Sequence, residues 1–300
     1  MARVSDLALT HVYSGKVRDL YEVDDRSLLM VASDRLSAFD VVMDEPIPDK
    51  GRVLTALTDY WLHEFSADVP SALVTCDPQE IEQRVPGFLA TPQWHGRTML
   101  VRRATMLELE CIVRGRLAGQ AHDEYVQRGT VHHMAAPAGM RLTDPFPEPR
   151  FTPSTKAASG HDLNIDLEEA ARIVGDDTLA QAQSICLDLF ARASRKLADV
   201  GLILADTKFE LGFVDDRLVV CDEVLTPDSS RIWPADQVRS GEVPPSFDKQ
   251  PFRDWLTTQP WDRTPPPPPV PDDVVAITSS RYVEAYERVT GCALRDWYGA

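Results

Sequence analysis

Between Lys16 and Ala32 apolar residues gather in two short runs on either side of Asp24-Asp25-Arg26, a pattern that predicts an antiparallel hairpin. Ser14-Gly15 just ahead of it reads as a tight turn able to face a phosphate. From Arg52 to Phe65, Leu54, Leu57, Trp61 and Phe65 recur at spacings of three and four, predicting a helix with that stripe in the core. Apolar runs at 97–104 and 109–115 predict strands, the first buried on both faces. A helix over LAGQAHDEYVQRG stops at Gly129. The segment PFPEPRFTP, 145–153, is too rich in proline for a helix and is expected to run extended as a crossing between lobes. Two helices follow: DLEEAARIVG, capped by Asp166 and ended by Gly175, and a long one ended by Gly201. LILADTKFELGFV and RLVVCDEV predict a second hairpin, turning at Asp215-Asp216. Pro265 to Pro269 should form an exposed polyproline II spacer before a last amphipathic helix around SSRYVEAYERVTG. There is no internal repeat.

The chain has 300 residues, 43% of them hydrophobic, enough for one large or two modest globular domains. Its 47 acidic residues outnumber 31 basic ones, for a net charge of -16, which argues against a nucleic-acid or anionic-membrane surface. An anionic ligand must therefore be met by a local cluster of bases. Five scattered cysteines without a C-x-x-C pair suit reduced thiols in a cytoplasmic protein. The first residues lack an apolar signal core, and no segment reaches the roughly 20 apolar residues of a membrane span.

Five stretches carry candidate chemistry. Along the second hairpin Asp206, Lys208 and Glu210 share one face, and antiparallel pairing can bring Asp222 opposite, with Glu223 beside it. Carboxylates packed so closely repel unless a cation sits among them, and hard oxygen ligands favour magnesium or manganese; a solvated face balanced by Lys208 is the alternative. In YSGKVRDLY, Gly15 lets backbone amides approach a phosphate while Lys16 and Arg18 supply charge, although no Walker loop occurs and the stretch taken alone favours a surface hairpin with two solvated bases. Arg114 and Arg116 leave a strand end where a guanidinium can clamp a carboxylate or phosphate. The polar loop around Ser154, Thr155, Lys156, His161 and Asp162 is of the kind that closes over ligands. Ser33, Asp34, Arg35, Ser37 and Asp40, followed by Lys50-Gly51, mix charge and hydroxyls as a zwitterionic ligand requires, or simply turn the chain. No Ser-His-Asp or Cys-His nucleophile pattern stands out.

In their order and wording these stretches resemble the phosphoribosylaminoimidazole-succinocarboxamide synthase family of purine biosynthesis, in its longer, yeast-like form. The resemblance runs from SGKVRDLYEV through ASDRLSAFDVVMDEPIPDKG, ECIVRGRLAGQA, EPRFTPSTKA, GHDLNI, ADTKFELGF and DEVLTPDSSRIW to DKQPFRDWL, nearly the whole chain. It implies an α+β fold: an antiparallel-β, kinase-like nucleotide lobe over 1–105 and a larger α+β lobe over 106–300, with ATP in the cleft between them. It implies a carbon-nitrogen ligase that uses ATP and magnesium to join L-aspartate to the carboxylate of an aminoimidazole ribonucleotide, through an acyl phosphate. Both partners are small molecules, with no nucleic acid and no membrane, and the protein is expected to be a monomer.

By the same resemblance Gly15, Lys16, Val17 and Arg18 line the triphosphate, and Arg102, Arg103, Ala104, Glu110 and Asp206 complete the nucleotide site. Glu210 and Asp222 hold magnesium, and with Lys208 and Arg231 they form the catalytic set. Ser33, Asp34, Arg35, Ser37, Lys50, Arg114, Gln120, Lys156, Asp162, Ser229, Ser230 and Arg231 contact the substrates. Two features depart from the pattern: the Pro265–Pro269 run, and Gln120 where some members carry serine. A small-molecule or protein kinase is the rival enzyme, but the chain has neither H-R-D-x-x-x-x-N nor D-F-G. A non-enzymatic acidic binding module would leave the apolar strand contexts of Arg114 and Asp222 without a reason.

Overall fold

The computed structural model describes Leu7 and residues 9–39, 41–156, 162–247 and 249–298, without the side chains of Gln250 and Pro251; Asp40 and His161 lie outside the described residues. An antiparallel sheet of five strands comes first, in the spatial order Thr10–Ser14, Arg18–Asp24, Ser27–Ala32, Thr98–Arg102, Leu73–Thr75. The period of two sorts its residues. Tyr21, Leu29, Val31 and Leu100 pack under Ile81, Val85 and Phe88, while Leu20, Leu28, Met30 and Val101 face the opposite way, into a cleft.

The second sheet is built on the 13-residue strand Leu202–Val214. Along it run Leu109–Arg116, Arg217–Cys221, Ser230–Pro234 and Thr105–Met106, all antiparallel. Pro145–Phe151 pairs with Leu109–Arg116 at the edge of this sheet. The proline-rich segment is thus extended as its composition predicts, but it is a strand of the larger sheet rather than a crossing between lobes. Proline cannot donate to a ladder and is tolerated at an edge, where the register here jumps between Pro145 and Arg150.

Helices Lys50–Phe65, Leu167–Val174, Asp176–Asp199 and Asp272–Thr290 supply apolar faces to the core over this sheet. Asp166 caps the second by accepting from the Glu169 amide at 2.8 Å, and Gly291, at φ 72°, ends the last. The first helix begins two residues before its predicted start, at Lys50, and the last extends back to Asp272. Although Lys50–Phe65 precedes the second sheet in sequence, Leu54, Leu57, Trp61 and Phe65 are buried in the larger core. Its start abuts the first sheet: a Cβ on Gly51 would lie 2.6 Å from the Ala32 carbonyl oxygen. The chain end returns the other way, with Trp297 donating to the Gly96 carbonyl at 2.7 Å. Among the described residues no helix is long and apolar enough to cross a membrane.

Candidate active site

A cleft of about 660 Å³ separates the two sheets. The first sheet lines it with Leu20, Leu28, Met30 and Val101, an apolar wall broad enough for a planar ring. Gly15, Lys16, Val17, Arg18, Arg102, Arg103, Ala104, Glu110, Lys156, Lys208, Glu210 and Asp222 also line it, so these sequence-predicted residues meet in one place. Six basic side chains face four carboxylates there, an excess of positive charge in a strongly acidic protein. Such a surplus suits a polyanion.

The Gly15–Arg18 turn is held from behind. Ser33 donates through both its amide and its hydroxyl to the Val17 carbonyl, each at 2.8 Å. Arg35 donates to the Gly15 and Lys16 carbonyls at 3.2 Å and pairs with Asp19. Asp34 pairs with Arg97 at 3.0 Å and accepts from the Gly51 amide at 2.9 Å. Ser37 lies in a two-residue strand paired with Val41–Val42. This group therefore buttresses the turn and the helix start, and none of it lines the cleft.

On the second sheet the cations and carboxylates alternate. Lys208 donates to Glu110 at 2.9 Å and to Glu210 at 3.2 Å, and Lys156 closes on Glu210 from the other side. Burial alone would raise the Glu210 carboxyl, but the two lysines outweigh it and hold it down to about 2. Burial likewise opposes the Lys208 charge, yet Glu210 and Glu110 raise it above the ordinary lysine value. Glu210 stands opposite Cys221, which places Asp222 at the same end of the hairpin. There Asp222 turns out of the strand with φ 57°, a left-handed conformation that a non-glycine residue keeps only when its surroundings enforce it. Arg18 reaches across the cleft to both Asp222 and Glu223.

A second cluster lies further along the same strand. Asp206 Oδ2 accepts from Arg114 at 2.9 Å and from Arg231 at 2.8 Å. Asp206 does not line the cleft with Glu210: the flanking strands set Arg114 and Arg231 opposite it, and it joins their cluster. A pocket of about 90 Å³ lined by Ser229, Ser230, Arg231, Lys249 and Arg253 opens on one side. On the other side is a hollow of about 310 Å³ lined by Gly119, His122, Thr143, Arg231 and Trp233. Gly119 adopts φ 55° and ψ -141°, which suits glycine, and a Cβ there would sit 2.4 Å from Arg231 Nη2. Gln120 opens the following helix and is exposed, as is Asp162 at the edge of the polar loop.

Three groups were not singled out from sequence: the buried His132 and Tyr282 and the partly buried Lys249. His132 touches Arg114; its position in TVHHMA carries no periodic or motif signal. Lys249 and Tyr282 join Lys50 around Asp228. Lys50 Nζ lies 2.8 Å and Lys249 Nζ 3.0 Å from Asp228 Oδ2, and the Tyr282 hydroxyl donates to Oδ1 at 2.5 Å. Lys50 is fully buried in this knot, while Asp228 and Lys249 line the pocket of about 90 Å³. DKQPFRDWL, which contains Lys249, was the one available pointer.

Comparison with known proteins fits this geometry. A family model described as SAICAR synthetase matches residues 11–268. The chain is 50% identical over 292 residues to the phosphoribosylaminoimidazole-succinocarboxamide synthase of Saccharopolyspora erythraea, covering 95% of each. It is 50% identical over 281 residues to that of Syntrophotalea carbinolica, covering 93% of this chain and 94% of the relative. Among solved structures, a Saccharomyces cerevisiae SAICAR-synthase complexed with SAICAR superposes with a TM-score of 0.88 at 42% identity, over 95% of this chain and 96% of that one. With the family model spanning most of its length and relatives of this closeness matching nearly end to end, the chain belongs to the SAICAR synthetase family.

Proposed function

We propose that the cleft and the arginine cluster together carry out the family's ATP-dependent ligation. L-aspartate is joined to the carboxylate of 5-amino-1-(5-phosphoribosyl)imidazole-4-carboxylate, giving the succinocarboxamide, ADP and phosphate. The observation that carries this placement is the strand Leu202–Val214. Asp206 stands in the arginine cluster while Lys208 and Glu210, two and four residues on, stand in the cleft, so one rigid strand joins both sites.

The adenine ring lies on the wall of Leu20, Leu28, Met30 and Val101, near the backbone of Arg102–Ala104, and the triphosphate runs toward Gly15, Lys16 and Arg18. Arg114, Arg231, Ser229 and Ser230 hold the ribonucleotide. A carboxylate is a poor electrophile, so its oxygen attacks the γ-phosphorus and ADP leaves. The aspartate amine then attacks the acyl carbon, gives up a proton, and phosphate departs with one former carboxylate oxygen. Lys208 and Lys156 neutralise charge along this path, and no protein nucleophile is needed.

Glu210 and Asp222 fit a divalent cation. Both are hard oxygen donors at one end of the hairpin, and each is already engaged by basic side chains that stand in for positive charge. Among the described residues no group of three or more acidic, histidine or cysteine side chains forms a metal site by itself. Two carboxylates sharing a magnesium ion with phosphate oxygens is an arrangement that ion favours. When bound, magnesium offsets the charge of phosphoryl transfer. The free thiols suit a reducing cytoplasm.

ADP release should require ATP, the carboxylated ribonucleotide and L-aspartate together. A coupled ADP assay checks this: full-rate release with either carboxylate substrate omitted would point to a kinase or an ATPase instead.

A further inference from the structure

Val131 and Met134 close a two-residue hairpin whose tip is His132-His133, and both histidines sit in the left-handed region, at φ 49° and 60°. Such turns favour asparagine and glycine, so two histidines in succession are strained unless their surroundings hold them. Glu124 does so, its carboxylate accepting from the His132 amide at 2.9 Å and from the His133 amide at 2.8 Å. The result sends the two rings in different directions. His133 is exposed, whereas His132 is completely buried against Arg114.

The hydrogen bonds of His132 fix its tautomer. Nδ1 lies 2.8 Å from the Pro153 carbonyl oxygen, which can only accept, so Nδ1 carries the proton. Nε2 is left as an acceptor for Arg114 Nη2 at 3.3 Å. Burial and the neighbouring Arg114 guanidinium push the ring down to about 4, which keeps it neutral and able to accept. Arg114 is thereby held at both tips of its fork, Nη1 by Asp206 and Nη2 by His132. Because Asp206 also holds Arg231, a slip of Arg114 would disturb both arginines.

We infer that His132 is a positioning residue for Arg114, acting as a neutral acceptor that aims the guanidinium at the ribonucleotide. The inference rests on the reading that Arg114 binds that substrate, and the test separates the two. In the full chain, His132→Asn tolerates the left-handed backbone and keeps a donor for Pro153, but removes the acceptor from Arg114. His132→Gln keeps an acceptor within reach of Arg114 instead. The expected result is a ribonucleotide KM raised about tenfold or more by His132→Asn, the scale of one hydrogen bond to a charged group. The KM for ATP stays near that of the parent, the melting temperature falls modestly because a buried donor loses its partner, and His132→Gln recovers most of the KM loss. An unchanged ribonucleotide KM in His132→Asn, or equal rises for both substrates, overturns the inference. Arg114→Lys is the control. If it leaves the ribonucleotide KM unchanged, the placement of the substrate is wrong; if it raises that KM while His132→Asn does not, only the positioning role is wrong. Should His132→Asn fail to fold, His132→Gln decides: a ribonucleotide KM close to the parent's supports the role, and a rise of about tenfold or more refutes it.

Discussion

Asp222→Asn and Glu210→Gln each cut turnover severely while the protein stays folded. Each substitution removes one negative charge from the hairpin end where a cation and the phosphates would meet, and each preserves shape. The expected loss in kcat is on the order of 10²–10³ or more, the scale seen when one preorganised electrostatic contact is removed from a transition state. Asn tolerates the left-handed backbone of Asp222, so the melting temperature should move little there. Glu210→Gln leaves Lys208 and Lys156 without their shared charge and costs about 1–3 kcal/mol in stability.

The sign of the pH dependence follows from Glu210. Its folded-state value of about 2, against an ordinary 4.5, means that its ionisation stabilises the fold fully above pH 4.5. That contribution is lost as pH falls toward 2, and the Gln variant lacks the step. Steady-state kinetics over a magnesium series, with circular dichroism melts, decides the matter. Variants that keep the parental rate and magnesium dependence would remove both carboxylates from the site.

Asp228→Ala is the most destabilising single change expected outside the apolar core. Burial alone would raise this carboxyl, but Lys249 and Lys50 hold it well below the usual carboxylate range. Lys50 has no exposed surface, so removing its counter-charge leaves an ammonium buried with the Tyr282 ring and Lys249 for company. Breaking one partner of a buried pair typically costs about 3–5 kcal/mol. The double variant Asp228→Ala/Lys50→Met should be less destabilised than the sum of the two single changes, because the second removes the stranded charge. Chemical denaturation of the four proteins measures this cycle; additive effects would mean that Lys50 and Asp228 are not coupled. Activity should suffer too, since Asp228 adjoins Ser229, Ser230 and Arg231.

What could be read from sequence was local and periodic. The hairpin expected over 16–32 forms with its first strand starting at Arg18, the three-four stripe from Leu54 to Phe65 lies on a helix, and the glycines at 129, 175 and 201 fall at helix ends. The hairpin 202–221 turns at Asp215-Asp216, as its apolar runs indicate. Longer-range placement was less legible, because it depends on which strands become neighbours. Alternation correctly set Asp206 on one face with Lys208 and Glu210, but it could not say that Leu109–Arg116 and Ser230–Pro234 would bring two arginines to Asp206. Lys50, expected from the resemblance to touch substrate, pairs with Asp228, a residue whose own sequence context suggests only a turn after Pro227. His132 lies in a segment with no pattern at all, and only the folded chain brings it to Arg114.

The most direct measurement follows the carboxylate oxygen. With the ribonucleotide carboxylate labelled with heavy oxygen, and ATP and L-aspartate supplied, mass spectrometry of the released inorganic phosphate reports whether that carboxylate was activated by ATP. Activation through an acyl phosphate puts one labelled oxygen into each phosphate released with the succinocarboxamide. Phosphate that carries no label while product accumulates would contradict it.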